Sequence, residues 1–187
     1  MKKLLLIPVF LTAGVLMGAQ AATLEGVTLP DTASVGGTTL TLNGMGLREV
    51  FFVDVYVGGL YLPSKATTPA AVMAEQGPYR VVMHMLHDVS HAQFADHWFD
   101  DLKANNRDDY ARLEPQARQF VALFEDAKKG DEIVMDYVPG TGLSVTRDGK
   151  LVGSVSGDEF GRAVLNVYVG PHPPTEKLKK GMLGGNN

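Results

Sequence analysis

The residues best suited to chemistry gather around one arginine. The stretch LTLNGMGLREVFFVDVYVGGLYLP, from Leu40 to Pro63, places Arg48, Asp54, Tyr56 and Tyr61 among apolar neighbours. Burying a guanidinium is costly unless it is paired, so Arg48 is either solvated at the start of its strand or met by something anionic or electron-rich. Read as one extended strand from Arg48 to Val57, the segment sends Phe51, Val53, Val55 and Val57 to one face and Arg48, Val50, Phe52, Asp54 and Tyr56 to the other. The second face mixes aromatic, aliphatic and polar groups, as the wall of a cleft does. Arg48 and Tyr56 are therefore candidate ligand contacts, and Tyr168, near the end of the final helix, is placed to reach the same pocket. Eight extended residues cover ~26 Å; either the chain bends sharply after Arg48, or the two side chains touch different ends of a long ligand.

Four histidines, His84, His87, His91 and His97, lie close together in sequence. The first two have opposite strand parity, and Asp88-Val89-Ser90 breaks the chain before a helix at about His91, so no metal site is expected from them. There is no phosphate-binding loop, dinucleotide fingerprint, nucleophile elbow or zinc-protease motif. No cofactor is expected.

Lys2 and Lys3 precede an apolar run from Leu4 to Met17, and Ala19-Gln20-Ala21 has the small-x-small form of a cleavage site. Residues 1–21 read as a secretory signal peptide cut after Ala21, and 22–187 as a single domain long enough to bury a core. The apolar run falls short of the ~20 residues of a spanning helix, so no stable membrane anchor is expected. Losing the two lysines takes the basic residues from 17 to 15 against 21 acidic ones, a net charge of −6. That balance argues against nucleic acid and anionic headgroups as partners. The absence of cysteine excludes disulfide scaffolding and thiol catalysis, and the combination suits the periplasm.

The elements that must position Arg48 follow from pattern and punctuation. Leu24–Leu29 and Thr38–Leu42 alternate as short strands, with Asn43-Gly44 predicting a turn before the Arg48 strand. Gly58-Gly59 predicts a bulge or a close backbone approach. A short helix over Pro69–Gln76 and a strand over Arg80–Leu86 come next. Ser90 with Gln93 is a capping box opening a helix whose buried stripe is Phe94, Ala95, Trp98 and Leu102. A second helix is predicted from about Asp108 to Lys128, reset at Glu114-Pro115. Glu132–Val138, Leu143–Arg147 and Lys150–Val155 read as strands, the last two joined by Asp148-Gly149, before a final helix over Asp158–Val169. Strands joined mostly by tight turns, with helices between blocks, predict an α+β domain: a large antiparallel sheet layered with helices.

Several ordered motifs carry a resemblance to the chalcone isomerase-like family, most closely its bacterial exported branch. LNGMGLRE resembles that family's G-x-G-x-R turn, VYVGGLYL its strand ending in G-V-Y-L, QGPYRVVMHML its G-P-[FY] strand entry, and DDLKANN the close of the following helix; RAVLNVYVG is a weaker echo. The resemblance implies a chalcone isomerase-like fold with a ligand cleft between sheet and helices. In the plant enzymes the arginine at the position of Arg48 assists closure of a 2′-hydroxychalcone to a flavanone, by stabilising charge that develops on oxygen. In fatty-acid-binding members the equivalent arginine holds a carboxylate with help from a tyrosine. Where true isomerases place a tyrosine and an asparagine on the helix over the cleft, this chain has Ser90 or His91, and His97; their late Thr or Ser falls near Val167, and their strand threonine at Tyr56. His97 is thus a fourth candidate ligand contact. With only the arginine kept, the expectation is non-catalytic binding of a small hydrophobic ligand with an acidic or carbonyl end, fatty acid-like. The first alternative is an isomerase of chalcone isomerase type, an intramolecular lyase acting on a flavonoid-like ligand with Arg48 as its catalytic group. The second is an envelope interaction protein with a vestigial cleft.

Overall fold

A computed structural model describes residues 21–185; apart from Ala21, the expected signal peptide lies outside the described residues. Strands β1 (Ala21–Leu24) and β2 (Val27–Pro30) form a hairpin of their own. Strands β3 (Thr32–Val35), β4 (Thr38–Val50), β5 (Val53–Leu62), β6 (Tyr79–Met85), β7 (Glu132–Val138), β8 (Gly142–Arg147) and β9 (Lys150–Val155) build one seven-stranded antiparallel sheet in chain order. Helix α1 (Pro69–Ala74) joins β5 to β6, and α2 (His91–Asn105) and α3 (Tyr110–Val121) join β6 to β7. Helices α4 (Asp158–Val169) and α5 (Glu176–Met182) follow β9. One face of the sheet packs on the helices through Leu60, Met83, Met135, Phe120 and Phe160. The other is covered by the β1–β2 hairpin, whose Val27 and Leu29 meet Leu42, Leu47, Val57 and Tyr61. This is the predicted α+β layering.

The turn expected at Asn43-Gly44 is not there. Both residues lie inside the long strand β4, with Asn43 bulged between the Leu42–Tyr61 and Gly44–Leu60 pairs. The bulge turns the Asn43 amide inward, where it donates to Ala66 O (2.9 Å) and Met182 O (2.7 Å) and accepts from Ala66 N (2.7 Å). The reversal comes instead at Phe51-Phe52, a two-residue loop between the paired Val50 and Val53. Both phenylalanines have positive φ, 46° and 68°, where hairpins prefer Asn-Gly and where a bulky L-residue pays ~1–2 kcal/mol. A single strand from Arg48 to Val57, with the face assignment it implied, is thereby corrected. The chain does bend sharply after Arg48.

A second bulge, at Val55, lies between the Arg48–Tyr56 and Glu49–Asp54 pairs. Val55 O accepts from both Leu86 N and His87 N, at 2.9 and 3.2 Å. Arg48 and Tyr56 are therefore direct cross-strand partners rather than the two ends of a rod. Gly58-Gly59 does not interrupt β5; it provides the close approach, since a Cβ at Gly58 would lie 2.6 Å from Met182 Cε and one at Gly59 2.4 Å from Leu29 Cδ1.

The helices start as predicted and one stops early. Ser90 and Gln93 form the capping box of α2, and Phe94, Trp98 and Leu102 are its buried stripe. Helix α3 contains Pro115 without a break but ends at Val121, well before Lys128. The chain leaves the helix to pair with the segment ahead of α2: Ala127 N donates to Val89 O (2.8 Å) and Val89 N to Ala127 O (2.9 Å). Helix α5 lies beyond the expected final helix and is not among the predicted elements; Thr175 caps it, accepting from Leu178 N at 3.2 Å.

Candidate functional site

Alternation along β4 sends Gly44, Gly46 and Arg48 toward the helices and Met45 and Leu47 to the opposite core. The two glycines let the backbone of α5 lie against the strand, and Arg48, next in the row, extends beyond it into a cavity. The sheet side of that cavity is Arg48, Val55, Tyr56, Met83 and Met85. Helix α2 contributes Phe94, His97, Trp98 and Asp101, and α4 contributes Val167 and Tyr168, with Pro174 from the segment entering α5. Trp98 forms the back wall, edge-on to Phe120 (4.8 Å between ring centres) and Tyr168 (5.9 Å). The cavity encloses about 30 Å³, space for a water or two and far below the ~300–1,000 Å³ of typical ligand pockets.

Arg48 is 8% exposed. Its guanidinium carbon lies 5.8 Å from the centre of the Tyr56 ring, a cation–π contact. Among the described residues nothing accepts a hydrogen bond from its buried Nε, and no carboxylate forms an ion pair with it. The neighbouring Glu49 is taken by Lys177 at 3.0 Å. The contrast with the half-buried arginines is informative. Arg80 makes two bonds to Asp136 (2.6 and 2.7 Å), Arg147 bonds Asp131 (2.5 Å), and Arg162 reaches the carbonyls of Met73 and Glu75. These partly buried arginines, on β6, β8 and α4, are each paired, while the more buried Arg48 is not.

The four candidates Arg48, Tyr56, His97 and Tyr168 all line this one cavity. Burial pushes the phenols of Tyr56 and Tyr168 far above their ordinary pKa, so both are neutral donors; the Tyr168 hydroxyl meets Met83 Sδ at 3.3 Å. His97, exposed at the rim, has its pKa lowered by desolvation and by Arg48, and is a neutral imidazole at pH 7. Ser90 and His91 lie outside the cavity: Ser90 caps α2, and His91 Nδ1 is 2.8 Å from Phe124 O. Among the described residues no group of three or more His, Asp or Glu side chains is set to hold a metal.

Asp101 was missed. Its place follows from helix spacing, one turn beyond His97 and three residues beyond Trp98, but the acid-rich run Asp96 to Asp101 reads as a solvated face. The carboxyl is pushed up to about 6, chiefly by burial, with Arg48 opposing and Asp100 adding. A folded pKa above the unfolded value means stability held below about pH 4 and lost as pH rises through about 6. Asp101→Asn should therefore stabilise the protein by roughly 1 kcal/mol at pH 7 after allowance for solvent screening, and not at all near pH 4. Thermal melts at the two pH values check this; equal gains at both would remove the assigned cause.

An antiparallel sheet under a helical layer, with a buried arginine in the cleft between them, defines a class of cleft-bearing α+β proteins. The chain belongs to the chalcone isomerase-like family, whose model matches residues 21–184. No curated protein sequence matches it. Among solved structures it is similar to a fatty-acid binding protein of Arabidopsis thaliana, at 19% identity and a TM-score of 0.65, over 88% of this chain and 96% of that one. That likeness is one of fold.

Proposed function

We propose that the mature protein is a periplasmic, non-catalytic carrier of a hydrophobic ligand with a carboxylate end, of the long-chain fatty acid type. The observation that supports it is Arg48, a buried cation in a mostly apolar cavity whose Nε has no acceptor and which forms no ion pair among the described residues, although Asp101 lines the same cavity. A ligand carboxylate would supply both, in charge-assisted bonds that a low dielectric strengthens. Tyr56, the cross-strand partner, donates from the same side, and Tyr168 faces it from α4. The alkyl chain displaces Met83 and Met85, unbranched side chains that repack at little cost, toward Trp98 and Phe94. Support for the periplasm comes from the basic start, apolar run and Ala19-Gln20-Ala21 site. The neighbour described as a fatty-acid binding protein supports the ligand class.

The test is titration of the mature protein with a fluorescent long-chain fatty acid. One-to-one uptake is expected, displaced by the unlabelled acid and not by the alcohol of the same length. Uptake should strengthen from pH 7.5 to 5.5 as Asp101 loses its charge and ceases to compete for Arg48. The small enclosed volume favours one second reading, the envelope interaction protein with a vestigial cleft. Failure to take up the probe at any pH would decide for it.

A further inference from the structure

Phe51 and Phe52 form the tip of the β4–β5 hairpin and are 92% and 95% exposed, with Val53 beside them also exposed. Both occupy a backbone region that a phenylalanine disfavours, at a turn for which Asn-Gly is the better sequence. Neither packs on the core, so folding explains neither residue at this point. The tip is also close to the cavity: Arg48 lies three residues before Phe51 and Val55 three residues after Phe52, both on its wall. Three extended residues cover ~10 Å.

We propose that the Phe51-Phe52 tip is a membrane-docking element that seats the cavity mouth against the surface of a zwitterionic bilayer. The shape favours a bilayer over a protein. A stable protein interface needs about 800 Å² per partner with a flat or concave fit, whereas a narrow convex tip of two rings is surrounded fully by fluid acyl chains. The charges favour uncharged headgroups: Asp54 flanks the tip, Glu49 is already bound to Lys177, Asp101 lines the α2 side of the cavity, and the exposed Asp96 and Asp100 act on His97 at its rim. The choice of a bilayer also rests on the carrier reading, because a long-chain acid resides in membranes and its passage to a small enclosed cavity is shortest from a docked mouth. Docking of this kind is reversible and differs from an anchor.

The experiment compares the mature protein with the double variant Phe51→Asn, Phe52→Gly, which has the preferred turn sequence and should melt no lower than the parent. Co-sedimentation with phosphatidylcholine vesicles should show binding by the parent, weakened roughly tenfold or more in the variant. Transfer of the fluorescent acid from vesicles to protein should slow to a similar degree, while uptake of the acid from solution stays unchanged. No vesicle binding by the parent, as expected of a tip that serves a protein partner, would overturn the proposal. So would equal binding by the variant, or binding that needs anionic lipid and vanishes in salt. Vesicle binding without any uptake of the acid would leave the docking element standing and remove the carrier reading.

Discussion

Arg48→Met will abolish capture of a carboxylate ligand and leave the protein more stable than the parent. The two effects share one cause. In the parent the guanidinium is nearly all removed from water, its Nε is without an acceptor from the described residues, and it rests on the face of the Tyr56 ring, with Asp101 attracting it but forming no ion pair. A buried charged donor left unpaired costs about 1–3 kcal/mol or more, and the lost cation–π contact returns only about 1 kcal/mol of that. Methionine has a similar reach and no polar hydrogen, so a net gain of roughly 1–2 kcal/mol, a few degrees in the melting temperature, is expected. Binding moves the other way: truncating one side of a desolvated, hydrogen-bonded charge pair costs about 2–5 kcal/mol, so affinity for a fatty acid falls by roughly a hundredfold or more. Arg48→Lys, with a charge but no fork, should fall between the two in binding. Titration and thermal unfolding of the same samples separate the outcomes. A destabilised Arg48→Met that binds normally would mean that Arg48 serves the fold, and the carrier reading would lose its support.

What could be read in the sequence, and what could not, divides along local and long-range lines. The capping box at Ser90, the turn at Asp148-Gly149 and the bounds of α4 depend on neighbours within four residues, and each is where the pattern put it. The straight mixed face does not exist, and Arg48 and Tyr56 share a side only because Val55 bulges, so that cross-strand pairing happens to match the parity of a single strand. The hairpin turn was misplaced because its chemistry is inverted. Asn43-Gly44, the best turn dipeptide in the region, serves as a bulge and a packing gap, while Phe51-Phe52, among the poorest, makes the reversal. Tertiary contacts decide both: Asn43 is held by Ala66 and by Met182, the latter 139 positions away. The end of α3 was hidden for a like reason, since Ala127 pairs with Val89 across a distance that no local pattern encodes. Asp101 was hidden by company, one acid among several whose neighbours face solvent. Helix α5 has Gly181 and Gly184 at its end and too short an apolar pattern to stand out; the feature that needs it is the glycine row on β4.

That row makes Gly46→Ala a severely damaging single methyl for the site's frame. A Cβ on Gly46 would stand 2.1 Å from Leu178 O and 2.8 Å from Leu178 Cα, both backbone atoms of α5. No rotamer change can relieve a clash with backbone, so the helix must move off the sheet as a body. Its movement would break the Asn43–Met182 bond, unseat Leu178 and Met182 from Gly58, and carry away Pro174, which closes the cavity beside Arg48. The expected cost is about 3 kcal/mol or more, at or above the upper end for overpacking, or roughly 6–12 °C in the melting temperature for a chain of this size. Gly58→Ala, directly opposite in the ladder, is the control: its Cβ clashes with Met182 Cε and Leu178 Cδ1, the far ends of flexible side chains, and reaches Tyr56 Cε2 only at an ordinary 3.4 Å, and should cost about 1 kcal/mol. Thermal melts of the two variants test the ordering, and fatty acid uptake by whatever Gly46→Ala remains folded tests its consequence, because the row of glycines and the arginine beyond them then act as one device. Equal costs for the two variants, or a Gly46→Ala protein that melts and binds like the parent, would show that α5 is not seated on β4 by its glycines and that the cavity holds its shape without it.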